Sequence, residues 1–235
     1  MSMKIRSIVT IASLLGATAP AFADWTGKSE VGVVVARGNT STDTANASLT
    51  LAQQLQDWKN AFGLSLLRSA TRGTTTAERY GGFWQTDRKL SDRDFWFGQA
   101  RAERDTFSGF DYQASLTSGY GHQFIDSATT KLSGQIGVGY RRTKNSLTGS
   151  TSGDAIGTGQ IAYEQAVTDT TKLIDKLVVE SGSSNTFASN EFAVQVKMSS
   201  KFALAFGVAA RMNSHPPVGL KKTDTLTTLN LVYGI

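Results

Sequence analysis

From Ser29 to its C-terminus the chain alternates apolar and polar residues at period two, in segments of about ten residues separated by Gly, Asn, Asp, Ser and Thr clusters. Successive side chains of a strand point to opposite faces, so this pattern demands sheet with two chemically different surfaces. Near the end, Phe192, Val194, Val196 and Met198 alternate with Glu191, Ala193, Gln195 and Lys197; Phe202, Leu204, Phe206 and Val208 alternate with Lys201, Ala203, Ala205 and Gly207. Leu229, Leu231, Tyr233 and Ile235 continue the pattern, and earlier so do Ala45 to Leu51, Phe62 to Leu66, and Leu132 to Tyr140.

The pattern predicts an all-β chain of 12 strands, starting near Ser29, Thr44, Trp58, Glu78, Asp94, Asp111, Lys131, Asp154, Thr171, Asn190, Lys201 and Thr225. An even number suits a closed antiparallel transmembrane β-barrel of the bacterial outer membrane. Connections after even segments are short, at Gln56-Asp57, Ser91 to Arg93, Asp126 to Thr130, Thr168 to Thr170 and Ser199-Ser200; those after odd segments are mostly longer, above all Thr143 to Gly153 and Met212 to Asp224. Short periplasmic turns and long external loops follow if both termini are periplasmic. One segment competes with a helix, because Leu173, Ile174, Leu177 and Val178 recur at helical spacing. A strand is preferred there, since a lone helix would leave an odd count and an open sheet edge in lipid. Trp25, Trp58, Trp84, Trp96, Tyr80, Tyr120, Tyr140, Tyr163 and Tyr233 fall mainly near strand ends, as interfacial girdles do.

Residues 1–23 read as a signal peptide: Lys4 and Arg6, an apolar stretch through Leu14-Leu15, then Ala21-Phe22-Ala23, with a mature barrel domain over 24–235 beginning at Asp24. Export places the barrel in the Gram-negative outer membrane, with barrel-assembly machinery, outer-membrane lipid and lipopolysaccharide as expected partners. No later apolar run approaches the roughly 18 residues of a helical span. Losing Lys4 and Arg6 lowers the formal net charge from +5 to +3, and without a basic run this argues against a nucleic-acid partner. The absence of cysteine removes disulfides and thiolate ligands, and His122 and His215 are too isolated to suggest a metal.

No catalytic or cofactor site emerges. A barrel hydrolase would place Ser two residues from its His on one strand face, but Phe124 and Pro217 occupy those positions. Gly157, Gly159 and Ala162 have dinucleotide-fingerprint spacing without the strand-turn-helix context, so they read as sheet residues. The polar faces instead nominate a lumen lining of Arg79, Asp87, Lys89, Arg101, Glu103, Arg141, Glu164, Glu191, Lys197 and Arg211. A mixed charged lining is the ordinary state of a polar lumen and is preferred here over acid–base catalysis. In the fifth segment parity is open, because Phe95 and Phe97 share a face with Arg101. Small inward residues, Ser65, Ser133, Gly137, Gly139, Thr158, Ala203, Ala205 and Gly207, favour some free lumen.

Trp25-Thr26-Gly27, Gly38-Asn39-Thr40, Gly119-Tyr120-Gly121, His215-Pro216-Pro217, Lys222-Thr223-Asp224 and the run Thr227 to Tyr233 together resemble the salt-induced outer-membrane proteins that share domain of unknown function 481. The resemblance spans the mature chain and implies an outer-membrane barrel linked to salt response, with no ligand or catalytic residue to carry over. Ile235 stands where such barrels end in an aromatic residue. A candidate mouth loop holds His215, Pro216, Pro217, Lys221, Lys222 and Asp224. It gates the mouth or binds lipopolysaccharide phosphates in one reading; in the preferred one it is a rigid external connector. The leading functional expectation is a narrow pore or small-solute binder, weakly favouring anions, of use under osmotic stress. A barrel with a blocked lumen and a lipid-modifying enzyme are the alternatives.

Overall fold

The computed structural model describes residues 25–36, 42–105, 108–217 and 219–234. Gly38-Asn39-Thr40, the signal segment and Ile235 lie outside these. Twelve strands follow in order: β1 (Trp25–Ala36), β2 (Thr42–Gln54), β3 (Trp58–Thr71), β4 (Thr74–Lys89), β5 (Asp94–Asp105), β6 (Phe110–Asp126), β7 (Thr130–Asn145), β8 (Thr151–Ala166), β9 (Thr171–Gly182), β10 (Thr186–Lys197), β11 (Phe202–Asn213) and β12 (Thr223–Gly234). Each pairs antiparallel with its sequence neighbour, and β12 returns to β1 with Val31 opposite Leu231. Closure leaves no sheet edge, the condition for extended backbone in hydrocarbon.

The period-two pattern becomes an inside-out distribution. Leu116, Ile136 and Val138 are 67%, 70% and 73% exposed, whereas Thr117 and Gln135 on the alternate face are 4% and 8% exposed. A soluble sandwich would bury the first set, so the outer face is built to meet lipid. Trp58, Trp96, Tyr120 and Phe124 gather outward at the end with short turns, where Trp58 meets Trp96 edge-on at 6.5 Å. Trp84 differs from the girdle expectation: it lies mid-strand in β4, facing outward against Phe62 at 6.3 Å. Across the β4–β5 pair it stands opposite the small Ala100.

The contested segment is strand β9, paired on both sides with Tyr163 opposite Asp175 and Asp175 opposite Phe192. Its helix-like spacing arises because both faces carry apolar residues. Leu177 is exposed on the outer wall, whereas Ile174, on the alternate face, lines the lumen. Two adjacent apolar residues repeated four apart mimic a helical stripe whenever a strand has an apolar residue on each face.

Short turns on one rim are written locally. Ser91, Ser127, Thr168 and Ser199 each use a side-chain oxygen to accept the amide N–H three residues on, at 3.0, 2.9, 3.0 and 3.1 Å. Such a bond fixes the reversal before the strands meet. Ser127→Ala is expected to lower stability by about 1 kcal/mol, the ordinary worth of one such bond; urea unfolding in lipid vesicles measures it, and no change would mean the strands alone set the turn.

On the opposite rim two expectations are corrected. Arg72-Gly73 is a two-residue reversal with φ of 52° and 82°, so the β3–β4 connection is shorter than the turns of the other rim. Both residues adopt the left-handed region, which makes a tight hairpin turn matching strand twist. Thr143 to Gly153 is mostly strand: β7 and β8 run on to Asn145 and from Thr151, with Thr143 and Ser152 hydroxyls 2.8 Å apart across the pair. Gly157 and Gly159 alternate with the buried Ile156 and have open space where a side chain would stand, so they are outer-wall strand residues.

Candidate functional site

The lumen is partly filled by aromatic rings seated on glycines. A Cβ on Gly63 would fall 2.2 Å from the Phe83 ring, on Gly121 2.1 Å from Phe95, and on Gly137 2.9 Å from Phe97. Parity in β5 is thereby settled: Phe95 and Phe97 point inward with Arg101. Gly137, expected to leave free volume, supplies the seat for Phe97, which is fully buried. Beside these rings, the Gln85 side-chain amide donates to Asp87 at 2.7 Å and to Gln135 at 3.4 Å, while Gln99 donates to Gln85 at 2.8 Å. This fills the short-turn half of the β4–β7 side with amide groups hydrogen-bonded around the Asp87 carboxylate.

The rest of the lumen holds charge. Arg211 meets Glu103 at 2.5 Å, Arg79 meets Asp105 at 2.6 Å, Arg101 meets Glu180 at 3.2 Å, and Lys28 meets Glu30 at 2.7 Å. Between Arg101 and Arg211 lies the Phe187 ring, with guanidinium carbons 4.7 and 5.0 Å from its centroid. This arginine–phenylalanine–arginine strut crosses the lumen from β5 to β11 and carries an acid at each end. Paired arginines keep their charge while the ring excludes water between them.

On the short-turn side of the strut a cavity of about 480 Å³ adjoins one of about 320 Å³, lined by Ser48, Thr50, Ser65, Phe83, Lys176, Glu191, Ala205 and Asn230 among others. Of the basic residues lining the two, Lys28, Arg79, Arg101, Lys176 and Arg211, only Lys176 makes neither a hydrogen bond nor an ion pair among the described residues. Its ammonium is held 5.7 Å from the Phe83 ring centroid. Glu191 stands opposite it across the β9–β10 pair. On the outer side of the strut, Arg79, Asp105, Arg211 and Asp224 line a vestibule of about 230 Å³.

The remaining nominated residues separate by depth. Lys197 and Lys28 line the mouth at the short-turn end. Glu164 pairs with Lys172 at 2.7 Å on the short-turn rim, and Lys89 with Asp92 at 2.8 Å on a turn. Arg141 is enclosed in the outer mouth: its guanidinium donates to the carbonyls of Glu180, at 3.4 Å, and Asn185, and lies 3.7 Å from Asp154. Asp154 in turn accepts from the Ser183 hydroxyl at 2.8 Å and from the hydroxyl and amide of Ser184, tying down the β9–β10 connection.

The candidate mouth loop crosses the barrel. In the cyclic strand order the β11–β12 connection is diametrically opposite the β5–β6 connection, yet Pro217 and Leu220 lie where a Cβ on Gly109 would fall 2.4 and 2.7 Å from them. Gly109, with φ of 89°, is the seat that lets them approach. At the loop's start the His215 amide donates to the Asn185 side chain at 3.0 Å, and Asn185 donates to Asn213 at 2.8 Å. Lys222 contributes its carbonyl to Asn213 at 2.8 Å, while Lys221, Lys222 and Asp224 stay exposed.

The histidines have structural partners. His122 Nδ1 lies 2.7 Å from Asp94, which also accepts from Tyr120 and, at 2.5 Å, from Ser91. A triad needs histidine between serine and acid, whereas here the acid sits between them. His215 Nδ1 lies 2.9 Å from Ser214, whose oxygen already accepts the Thr186 amide at 2.8 Å. Among the described residues no three His, Cys, Asp or Glu side chains group as metal ligands.

A family described as Protein of unknown function, DUF481, matches residues 29–235. The chain belongs to that family. A relative is the uncharacterized protein YdiY of Escherichia coli K12, 27% identical over 215 residues that cover 89% of this chain and 82% of YdiY. Among solved structures, the NanC porin has a TM-score of 0.51 at 10% identity, with 89% of this chain and 97% of that one covered. An outer membrane channel from Pseudomonas putida F1 also has a TM-score of 0.51 at 10% identity, covering 90% and 94%. These likenesses show the fold, a barrel of the outer-membrane type.

Sequence reading did not nominate Lys176, Glu180, Phe187 or Asp105. Lys176 and Glu180 lay in the segment whose helical spacing obscured which face was inward. Phe187 preceded the expected start of its strand at Asn190. With strand parity applied to β9, Lys176 and Glu180 would have emerged as inward charges.

Proposed function

We propose that the protein is a narrow outer-membrane passage that holds a small solute in the cavity beneath the Phe187 strut, with a weak preference for anionic or zwitterionic solutes. The observation that carries this reading is the Lys176 ammonium, which makes neither an ion pair nor a hydrogen bond among the described residues, inside a polar cavity of about 480 Å³. Every other arginine or lysine of that lining is already matched to a carboxylate, so Lys176 is the charge left to recognise a ligand, with Glu191 placed to meet a cationic end. Arg79 and Arg211 border both vestibule and cavity, giving an anion a charged route between them. The association with salt response rests on the family resemblance alone, and transcript levels after an osmotic upshift test it separately.

Single-channel recording in planar bilayers tests the passage. The wild-type barrel is expected to give small steps with anion preference, and Lys176→Glu to reverse the preference. A folded barrel without conductance, and without solute binding by calorimetry, would defeat the proposal. One observation favours a second reading, a blocked lumen: Phe187, Arg141 and Glu180 are each at most 2% exposed across the outer half, and Phe97 is fully buried nearer the short turns.

A further inference from the structure

The outer wall of β3 to β7 combines a groove with a basic crest. The groove, of about 450 Å³, has Gly82 and Ala102 as its floor, Leu64, Leu66 and Tyr80 as one wall and Tyr112 as the other. It opens toward lipid, because Leu64, Leu66 and Tyr80 are 48%, 48% and 43% exposed on the outward face. At its extracellular end the same outward face carries Arg68, Arg104, Arg142 and Lys144. Cross-strand register brings them together: Arg104 is opposite Tyr80, Lys144 opposite Tyr112, and Arg142 opposite Ala114.

Two acids sit among these bases. Asp111 lies 3.5 Å from Arg104 and 3.0 Å from Lys144, fixing those two side chains side by side. Glu78 faces Arg68 across the pair and accepts the Tyr80 hydroxyl at 2.6 Å. Four cations against two acids leave a net positive crest, and Arg68 and Arg142 make no ion pair among the described residues. Unmatched arginines just above an apolar groove, on the side away from the short turns, form a surface with two demands. Its occupant must bring anionic groups to the crest and hydrocarbon to the groove.

We propose that this wall binds a phosphorylated, multiply acylated glycolipid of the outer leaflet, the lipid A part of lipopolysaccharide, with its phosphates on the arginine–lysine crest and an acyl chain along Gly82 and Ala102. The site is on the outer wall and independent of the lumen. Two phosphates match a crest in which Asp111 holds Arg104 and Lys144 as one pair while Arg68 and Arg142 flank it. A glycerophospholipid brings a single phosphate and engages only part of it.

Native mass spectrometry of the detergent-purified barrel with added diphosphoryl lipid A, monophosphoryl lipid A or phosphatidylglycerol tests the proposal. Diphosphoryl lipid A is expected to be retained best. The triple variant Arg104→Ala/Arg142→Ala/Lys144→Ala is expected to weaken its retention on the order of a hundredfold, from the loss of three surface cations. Ala102→Phe, which fills the groove, is expected to weaken all acylated ligands while keeping the order among them. Equal retention of phosphatidylglycerol and diphosphoryl lipid A, or undiminished retention by the triple variant, would overturn it. If the triple variant fails the cold-versus-boiled gel shift of a folded barrel, Arg68→Gln/Arg142→Gln, which breaks no ion pair, decides the question in the same way.

Discussion

Replacing Phe187 with Ala will raise single-channel conductance several-fold over the wild-type barrel. The ring is 2% exposed and stands between two guanidinium groups at 4.7 and 5.0 Å. Its removal joins the cavity of about 480 Å³ to the vestibule of about 230 Å³. The arginines do not collapse onto each other, because like charges repel and each keeps its own acid, Glu180 for Arg101 and Glu103 for Arg211. Water and ions replace the ring, and two flanking cations favour anions in the widened path. A truncation of a buried phenylalanine ordinarily costs about 3–5 kcal/mol, and the cost here is expected at or below the lower end because an aqueous cavity already borders the ring. Conductance unchanged in a variant that still shows the gel shift would move the barrier outward to the crossing loop.

Arg141→Ala will destabilise the barrel by about 3 kcal/mol and release the β9–β10 connection. Arg141 is 2% exposed, and its removal strips donors from the carbonyls of Glu180 and Asn185 and a counter-charge from Glu180 and Asp154. The effect is expected at the low end of the range for broken buried pairs, because Glu180 keeps Arg101 and Asp154 keeps Ser183 and Ser184. Arg141→Lys retains charge without the planar fork and is expected to recover part of the loss. Urea midpoints in vesicles measure the stability, and protease cutting at Ser183 to Asn185 reports the loop. A loss under about 0.5 kcal/mol, the level of surface substitutions, would show the cluster to be solvated.

Much of the architecture was legible because a membrane barrel writes its two faces into alternate residues. Phe192 to Met198 and Leu229 to Tyr233 needed only parity to be placed. The turn residues Ser91, Ser127, Thr168 and Ser199 announced themselves because their hydrogen bonds are local. Reading failed where information is not local. Gly137 looked like empty lumen, and only the register of β5 against β6 and β7 brings Phe97 onto it. The length of β7 and β8 was underestimated because Lys144 and Ser152 are polar at the end of the hairpin, where the apolar alternation has stopped. The strut could not be read at all: it joins residues 101, 187 and 211, whose meeting depends on closure of the whole sheet. The same holds for Pro217 and Leu220, whose proline-rich segment suggested stiffness but not its landing place on Gly109.

That landing place determines how the outer mouth responds to its surroundings. The crossing segment is held at its far side by a proline ring and a leucine on a glycine, and at its root by neutral amide bonds from Asn185. A cover fastened by surface ion pairs would loosen as ionic strength rose, because counterions screen exposed charges. Contacts of this kind do not weaken in that way, and strongly hydrated salts tighten apolar contact instead. The segment is therefore expected to keep its place on Gly109 as ionic strength rises.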